Sequence, residues 1–233
     1  MQTISIPRNS DRAVLAMFAL CAALLLAAAA PMAQAQAQAK APAAAAPARN
    51  VDTSGPSQLI ESAANIMLTE ISARRAEFRK DPTGLYKLVD DVLLPHFDVN
   101  HAARLVLGRH WASATPQQRQ RFVDAFYRSM LNNYGDALVD FTGDRIKVLP
   151  YKGDPAAKTA SVRTTVKRSN GQLVPVNYSL RLTDKGWKAW DVVIEGISYV
   201  KSFREDFGAE IDQKGIDAVI QRLEAQRVAK QAA

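Results

Sequence analysis

Between Pro56 and Leu138 apolar residues recur at every third or fourth position, and from Gly143 to Ile194 they recur at every second. The first period is that of helices with one buried stripe, the second that of strands with one buried face. Pro56 and Ser57 open the first helical pattern, with Leu59, Ile60, Ala63, Ile66, Met67 and Ile71 on one stripe before the basic stretch SARRAEFRK. Asp81 is placed to cap a second helix with Pro82 at its first position, and Leu85, Leu88, Val89, Val92 and Leu93 recur until Pro95 stops it. A third helix starts at the cap Asp98 and ends at Gly108, turning Ala102, Leu105 and Val106 inward. In the fourth, TPQQ supplies a capping Thr115, Pro116 at the first helical position and Gln118 where a capping box puts its reciprocal partner. Phe122, Phe126, Met130 and Tyr134 line one face of that helix.

After Gly143 the segments DRIKVLP, TASVRTTVKR, LVPVNYSLRL and WKAWDVVI read as successive strands, separated by YKGDP, SNG and TDKG. Turns this short join antiparallel neighbours, so the strands form a meander. In the third strand Val174, Val176, Tyr178, Leu180 and Leu182 share one side, opposite Pro175, Asn177, Ser179 and Arg181. Helical pattern returns from Ile197 to Phe207 and from Ile216 to Leu223, ahead of a polar end. Helices, then strands, then helices define an α+β fold, with helices packed on one face of an antiparallel sheet.

The first segment reads as an address. Arg8 and Arg12 flank the unbroken apolar run Ala13 to Ala30, and PMAQAQAQA follows with small residues at the minus-three and minus-one positions of several cuts. This is the pattern of a cleaved secretory signal peptide, Met1–Ala37; the competing reading is an uncleaved anchor, since the run is just long enough to span a bilayer. Gln38–Pro56 is Ala, Pro and Gln with little to bury, a disordered tether before one folded domain at 57–233. The single cysteine, Cys21, leaves with the signal, which removes disulfides, thiolate nucleophiles and Cys metal sites from the mature protein. The net charge of +7 falls to +6 on losing Arg8, Asp11 and Arg12, and the remaining basic residues are spread rather than massed. That distribution allows a weak attraction to acidic partners and gives no nucleic-acid arm.

Little in the chain spells catalysis. His96, His101 and His110 include no pair at the i, i+4 spacing of a zinc helix. There is no G-x-S-x-G around Ser198 and no phosphate-cradling glycine loop. Asp191 and Glu195 fall on one face of their strand with Trp190, Val192 and Ile194 on the other, so the carboxylates are expected to face water or Arg163, Lys167 and Arg181. The apolar stripes suit a filled core and a cavity for an apolar ligand equally well. Arg104, Arg109, Arg119, Arg121 and Arg128 offer a docking face for acidic membrane partners, or a merely solvated one.

Two long blocks carry a resemblance. LLPHFDVNHAARLVLGRHWASATPQQRQRFVDAFYRSMLNNYGDAL, from Leu93, is similar to the central segment of the MlaC, or toluene-tolerance, family of periplasmic phospholipid-transport proteins. WKAWDVVIEGISYVKSFREDFGAEIDQKGIDAVIQRL resembles that family's closing strand, its turn through Asp191, Glu195, Gly196 and Ser198, and its last helices. The resemblance implies an NTF2-like α+β domain with extra helices around a deep apolar cavity, without catalysis, metal or cofactor. It implies a soluble periplasmic carrier that holds a phospholipid by its acyl tails. Such a carrier passes lipid between an outer-membrane lipoprotein complex and an inner-membrane ABC transporter with its lipid-binding subunit, a system that maintains outer-membrane lipid asymmetry. The inward positions expected to line the cavity are Phe122, Phe126 and Met130 from the covering helix and Val162, Val166, Val176, Tyr178, Leu180, Val192 and Ile194 from the strands. An enzyme on the same scaffold, using Asp191, Glu195 or a histidine, and a filled-core interaction module of the envelope remain alternatives.

Overall fold

A computed structural model describes residues 50–139, 146–154, 156–167 and 170–231, with the backbone alone at 134–137 and 227–231. The signal peptide, most of the tether, Gly143 and the Tyr134 side chain lie outside the described residues. The described residues fall in one compact unit spanning Arg49–Ala233. Packing begins inside the stretch read as tether: Val51 lies against two of the core clusters, and the Asp52 amide donates to Ser62 Oγ at 3.0 Å.

Helix α1 runs Pro56–Lys80 with proline in its first turn, buries Leu59, Ile60, Ala63, Met67 and Ile71, and kinks at Arg74. Helix α2, Thr83–Val92, buries Leu85, Leu88, Val89 and Val92, and the Asp81 carboxylate accepts from the Thr83 amide at 2.9 Å. A short turn, Leu94–His96, holds Pro95 and leads to α3, Val99–Leu107, capped by Asp98 on the His101 amide at 3.0 Å and ended by Gly108 at φ 52°. After the single turn α4, His110–Ser113, comes α5, Pro116–Leu138. Its capping box closes both ways: the Gln118 amide donates to Thr115 Oγ1 at 3.1 Å and the Thr115 amide to Gln118 Oε1 at 2.9 Å.

The strands are β1 Ile146–Val148, β2 Thr159–Lys167, β3 Leu173–Thr183, β4 Gly186–Ile194 and β5 Ile197–Ser198, paired antiparallel in chain order as one meander. β5 departs from expectation, since Ile197 was read as the start of a helix. Glu195 at φ 51° and Gly196 at φ 85° make the two-residue left-handed turn that folds Ile197 back against Ile194, and α6 starts only at Tyr199. α6 runs Tyr199–Lys214 and α7 Ile216–Gln231.

β4 carries a bulge that reverses its side-chain phase. Tyr178 pairs with Val192 and Ser179 with Asp191, but Leu180 pairs with Ala189, which leaves Trp190 extra. Trp187, Ala189, Val192 and Ile194 therefore share the inner face, while Trp190 turns the other way, onto the helices. The expectation that Trp190 shares a face with Val192 and Ile194 is corrected by that one inserted residue.

Two helical cores result. α3, α5, α6 and α7 enclose Phe122, Phe126, Phe207, Ile220 and Leu223, with the Phe122 and Phe126 rings stacked at 5.7 Å and Phe207 edge-on to both. α1 and α2 enclose Met67, Ile71, Phe78, Leu85 and Leu88 together with Leu131 of α5. α1 also lays Leu59 and Ile60 on the sheet over Val162, Leu180 and Ala189.

Candidate functional site

The inner face of the sheet has two ends that are treated differently. At one end α1 covers it, and Val162 and Leu180 keep 1% of their surface. At the other, Val166, Val174 and Val176 pack with Ile146, Tyr178, Val192 and Ile194, and among the described residues every member of this cluster belongs to a strand. The three valines are buried, Val174 keeping 1%, Val176 7% and Val166 8% of their surface. Ile146, Tyr178, Val192 and Ile194 stay half-buried on this face, and Ile197, paired with Ile194 at its rim, is 56% exposed.

Tyr178 joins the two ends, since it packs with both clusters. Burial alone holds its phenol above the ordinary value, although the residue keeps accessible surface. The alternation of β3 builds this face: its even-numbered residues from Val174 to Leu180 point one way, and register matches them with Val162 and Val166 on β2 and with Val192 and Ile194 on β4.

Of the ten positions expected to line a cavity, the sheet therefore brings together Val166, Val176, Tyr178, Val192 and Ile194. Val162 and Leu180 share the face but lie under α1. Phe122, Phe126 and Met130 are not brought to it; they pack in the core of α3, α5, α6 and α7. The helical stripe of α5 signalled burial correctly, but periodicity carries no information about which partner buries it. Ile146 and Val174 belong to the strand-built cluster and were absent from the expected set; their signal was strand phase alone.

The polar candidates have structural employment. Asp191 is not turned to water or to the strand cations; it is 4% exposed, accepts from Ser198 Oγ at 2.6 Å and from the Val200 amide at 3.0 Å, and so fixes the entry of α6. Ser198 in turn accepts from the Lys201 amide at 3.1 Å as the helix cap, while Glu195 is an exposed turn residue. His101 sets its ring edge-on to Trp190 at 5.4 Å, and burial, with Arg181 adding to it, lowers its pKa. His96 is lowered by burial and by Lys188. Among the described residues no three His, Cys, Asp or Glu side chains are grouped to hold a metal ion, and no helix is long and apolar enough to cross a membrane.

The arginine face is also committed internally. Arg109 pairs with Asp212, Arg121 with Glu224 at 2.6 Å and Arg128 with Asp90 at 3.4 Å, while Arg119 donates to the Trp111 carbonyl at 2.8 Å and lies over that indole. A separate cleft of about 500 Å³, with Arg109, His110, Lys201, Arg204 and Glu205 on its walls, is charged and shares no residue with the sheet face.

An antiparallel meander with α1 on its inner face and α3 and α6 against Trp190 and Asp191 on the other is an α+β protein of the NTF2-like class. The pattern that defines the MlaC protein family matches residues 61–225. The chain is 30% identical over 172 residues to the toluene tolerance protein ttg2D of Pseudomonas putida, covering 73% of this chain and 80% of that protein. It is 25% identical over 175 residues to the intermembrane phospholipid transport system binding protein MlaC of Haemophilus influenzae, covering 73% and 81%. The solved structure of the phospholipid-binding protein from Ralstonia solanacearum in complex with a phospholipid matches at a TM-score of 0.68 and 25% identity, over 75% of this chain and 97% of that one. The chain belongs to the MlaC family, as its two sequence blocks led us to expect.

Proposed function

We propose that this protein is a periplasmic phospholipid carrier that holds acyl tails against the inner face of its sheet. It carries lipid between an outer-membrane lipoprotein complex and an inner-membrane ABC transporter with its lipid-binding subunit. The observation that carries the reading is the strand-built apolar cluster of the inner face, in which Val166 and Val176 are buried and Tyr178, Val192 and Ile194 stay half-buried. The names of the relatives, a phospholipid transport binding protein and a phospholipid-bound structure, support the choice of occupant.

The physical case rests on tails. Two acyl chains expose about thirty methylenes, and at about 0.8 kcal/mol each their transfer into water costs on the order of 25 kcal/mol, so free lipid crosses an aqueous gap too rarely to be useful. A dry apolar face matches the bilayer interior, which makes exchange nearly neutral and leaves direction to differential affinity for the partners. Tail binding asks for no polar constellation, in keeping with carboxylates and histidines that serve the fold.

The test is transfer of a fluorescent phospholipid from vesicles. Val192→Glu, which puts a charge on the inner face, should lower loading at least tenfold, while Arg163→Glu on the outer face should load as the parent does. Equal loading by both variants contradicts the assignment of the face.

A further inference from the structure

On the outer face of the sheet, register gathers charges that lie apart in the sequence. Every cation of β1, β2 and β3 stands at an odd-numbered, outward position, namely Lys147, Arg163, Lys167 and Arg181, and these three strands contain no aspartate or glutamate. Lys147 pairs with Thr165, which sets it diagonal to both Arg163 and Lys167, about 7–8 Å from each along the backbone surface. Arg181 is engaged by Asp98 at 3.2 Å, where α3 meets the sheet. Lys147, Arg163 and Lys167 are exposed, and among the described residues no carboxylate pairs with any of them. α3 and α6 take up the outer face at β4, through Trp190 and Asp191. Three like charges this close, with no counter-charge, work against the fold, so their use lies outside it.

We infer that this outer face, centred on Lys147, Arg163 and Lys167, docks an acidic face of a partner protein in the transfer pathway. This rests on the carrier reading and deepens it. Charge complementarity selects the chemistry of the partner: carboxylates neutralise the three cations, and Ser161, Thr165 and Asn177 beside them offer hydroxyl and amide hydrogens. A second copy of this chain brings the same positive excess and is repelled. A bilayer lying on this face meets the side of the sheet away from the tails, whereas a protein can hold the carrier there and leave the inner face to exchange. Apart from Pro175, and Leu173 at the hairpin end, the outward positions of β1, β2 and β3 carry no apolar side chain, so the patch lacks the buried anchor of a long-lived interface. Coulombic attraction of this kind raises the rate of encounter more than the residence time. That suits a carrier, which must leave each partner again.

The experiment measures association of the mature protein with the purified inner-membrane transporter complex and, separately, with the outer-membrane lipoprotein complex, each in nanodiscs of neutral phosphatidylcholine, by stopped-flow fluorescence. The parent's association rate should fall steeply between about 50 mM and about 500 mM salt. The strand variant Lys147→Glu, Arg163→Glu, Lys167→Glu should associate about tenfold more slowly at the lower salt with at least one complex, its dissociation rate staying within about threefold of the parent's. It should still load phospholipid from neutral vesicles as the parent does. The helix variant Lys80→Glu, Arg104→Glu, Lys201→Glu, which removes equal charge elsewhere, should slow association by less than about threefold. If the acidic strand variant does not fold, glutamine at the same positions gives the same direction of change. Association unaltered by the strand variant, or slowed equally by the helix variant, overturns the docking face and leaves the carrier reading standing. So does loss of binding to phosphatidylglycerol vesicles with partner association intact, which assigns the face to a membrane. A parent that loads no phospholipid overturns the carrier reading and the inference with it.

Discussion

Asp191 shows how a residue that looks catalytic becomes structural. A carboxylate five positions before Gly196 and near a serine suggests acid–base work, yet its oxygens are taken by Ser198 Oγ at 2.6 Å and the Val200 amide at 3.0 Å. Both donors belong to the β5 strand and the first turn of α6, where a negative charge also complements the helix dipole. Asp191→Ala strands a buried amide, so it should cost about 1–3 kcal/mol in urea denaturation, with loading by the folded fraction unchanged. A loss below about 0.5 kcal/mol contradicts the latch. The position of Asp191 was hidden from the sequence for a specific reason. Alternation assigns it to the face opposite Val192, where it lies, and the period gives no sign that α6 packs over that face.

The elements were legible in proportion to how local their signals are. The capping box at Thr115, the cap Asp98 and the prolines at 56, 95 and 116 act within one turn, and each helix starts or stops where they direct, whereas α2 begins at Thr83 behind Pro82, one residue later than a cap at Asp81 would place it. β5 was missed because two residues carry no period, and Phe122, Phe126 and Met130, expected to line the cavity from the covering helix, pack in the core of α3, α5, α6 and α7, because one stripe fits either neighbour. The junction between α3 and the sheet is such a long-range feature. Asp98 caps α3, pairs with Arg181 at 3.2 Å and donates its amide to the Ala189 carbonyl at 2.7 Å, while His101 meets Trp190. Burial and Arg181 keep His101 below its ordinary value of 6.5, with Asp98 opposing and Arg104 adding. The unfolded chain therefore takes up a proton first. The contribution is fully present above pH 6.5 and is lost as pH falls through the lowered native value. His101→Phe should shrink the drop in urea midpoint between about pH 7.5 and about pH 5.5. An unaltered pH dependence in that variant contradicts the account of the junction.

At the scale of the molecule, three packed helical contacts and one strand-built apolar cluster divide the labour. α3, α5, α6 and α7 close a core of their own, α1 and α2 close a second with Leu131, and α1 closes half of the sheet's inner face. The most direct measurement of the carrier claim is native mass spectrometry of the mature protein purified without detergent, followed by denaturing extraction. The account predicts a stoichiometric mass increment that the extract identifies as phospholipid. An empty protein that also takes no lipid from vesicles would contradict it.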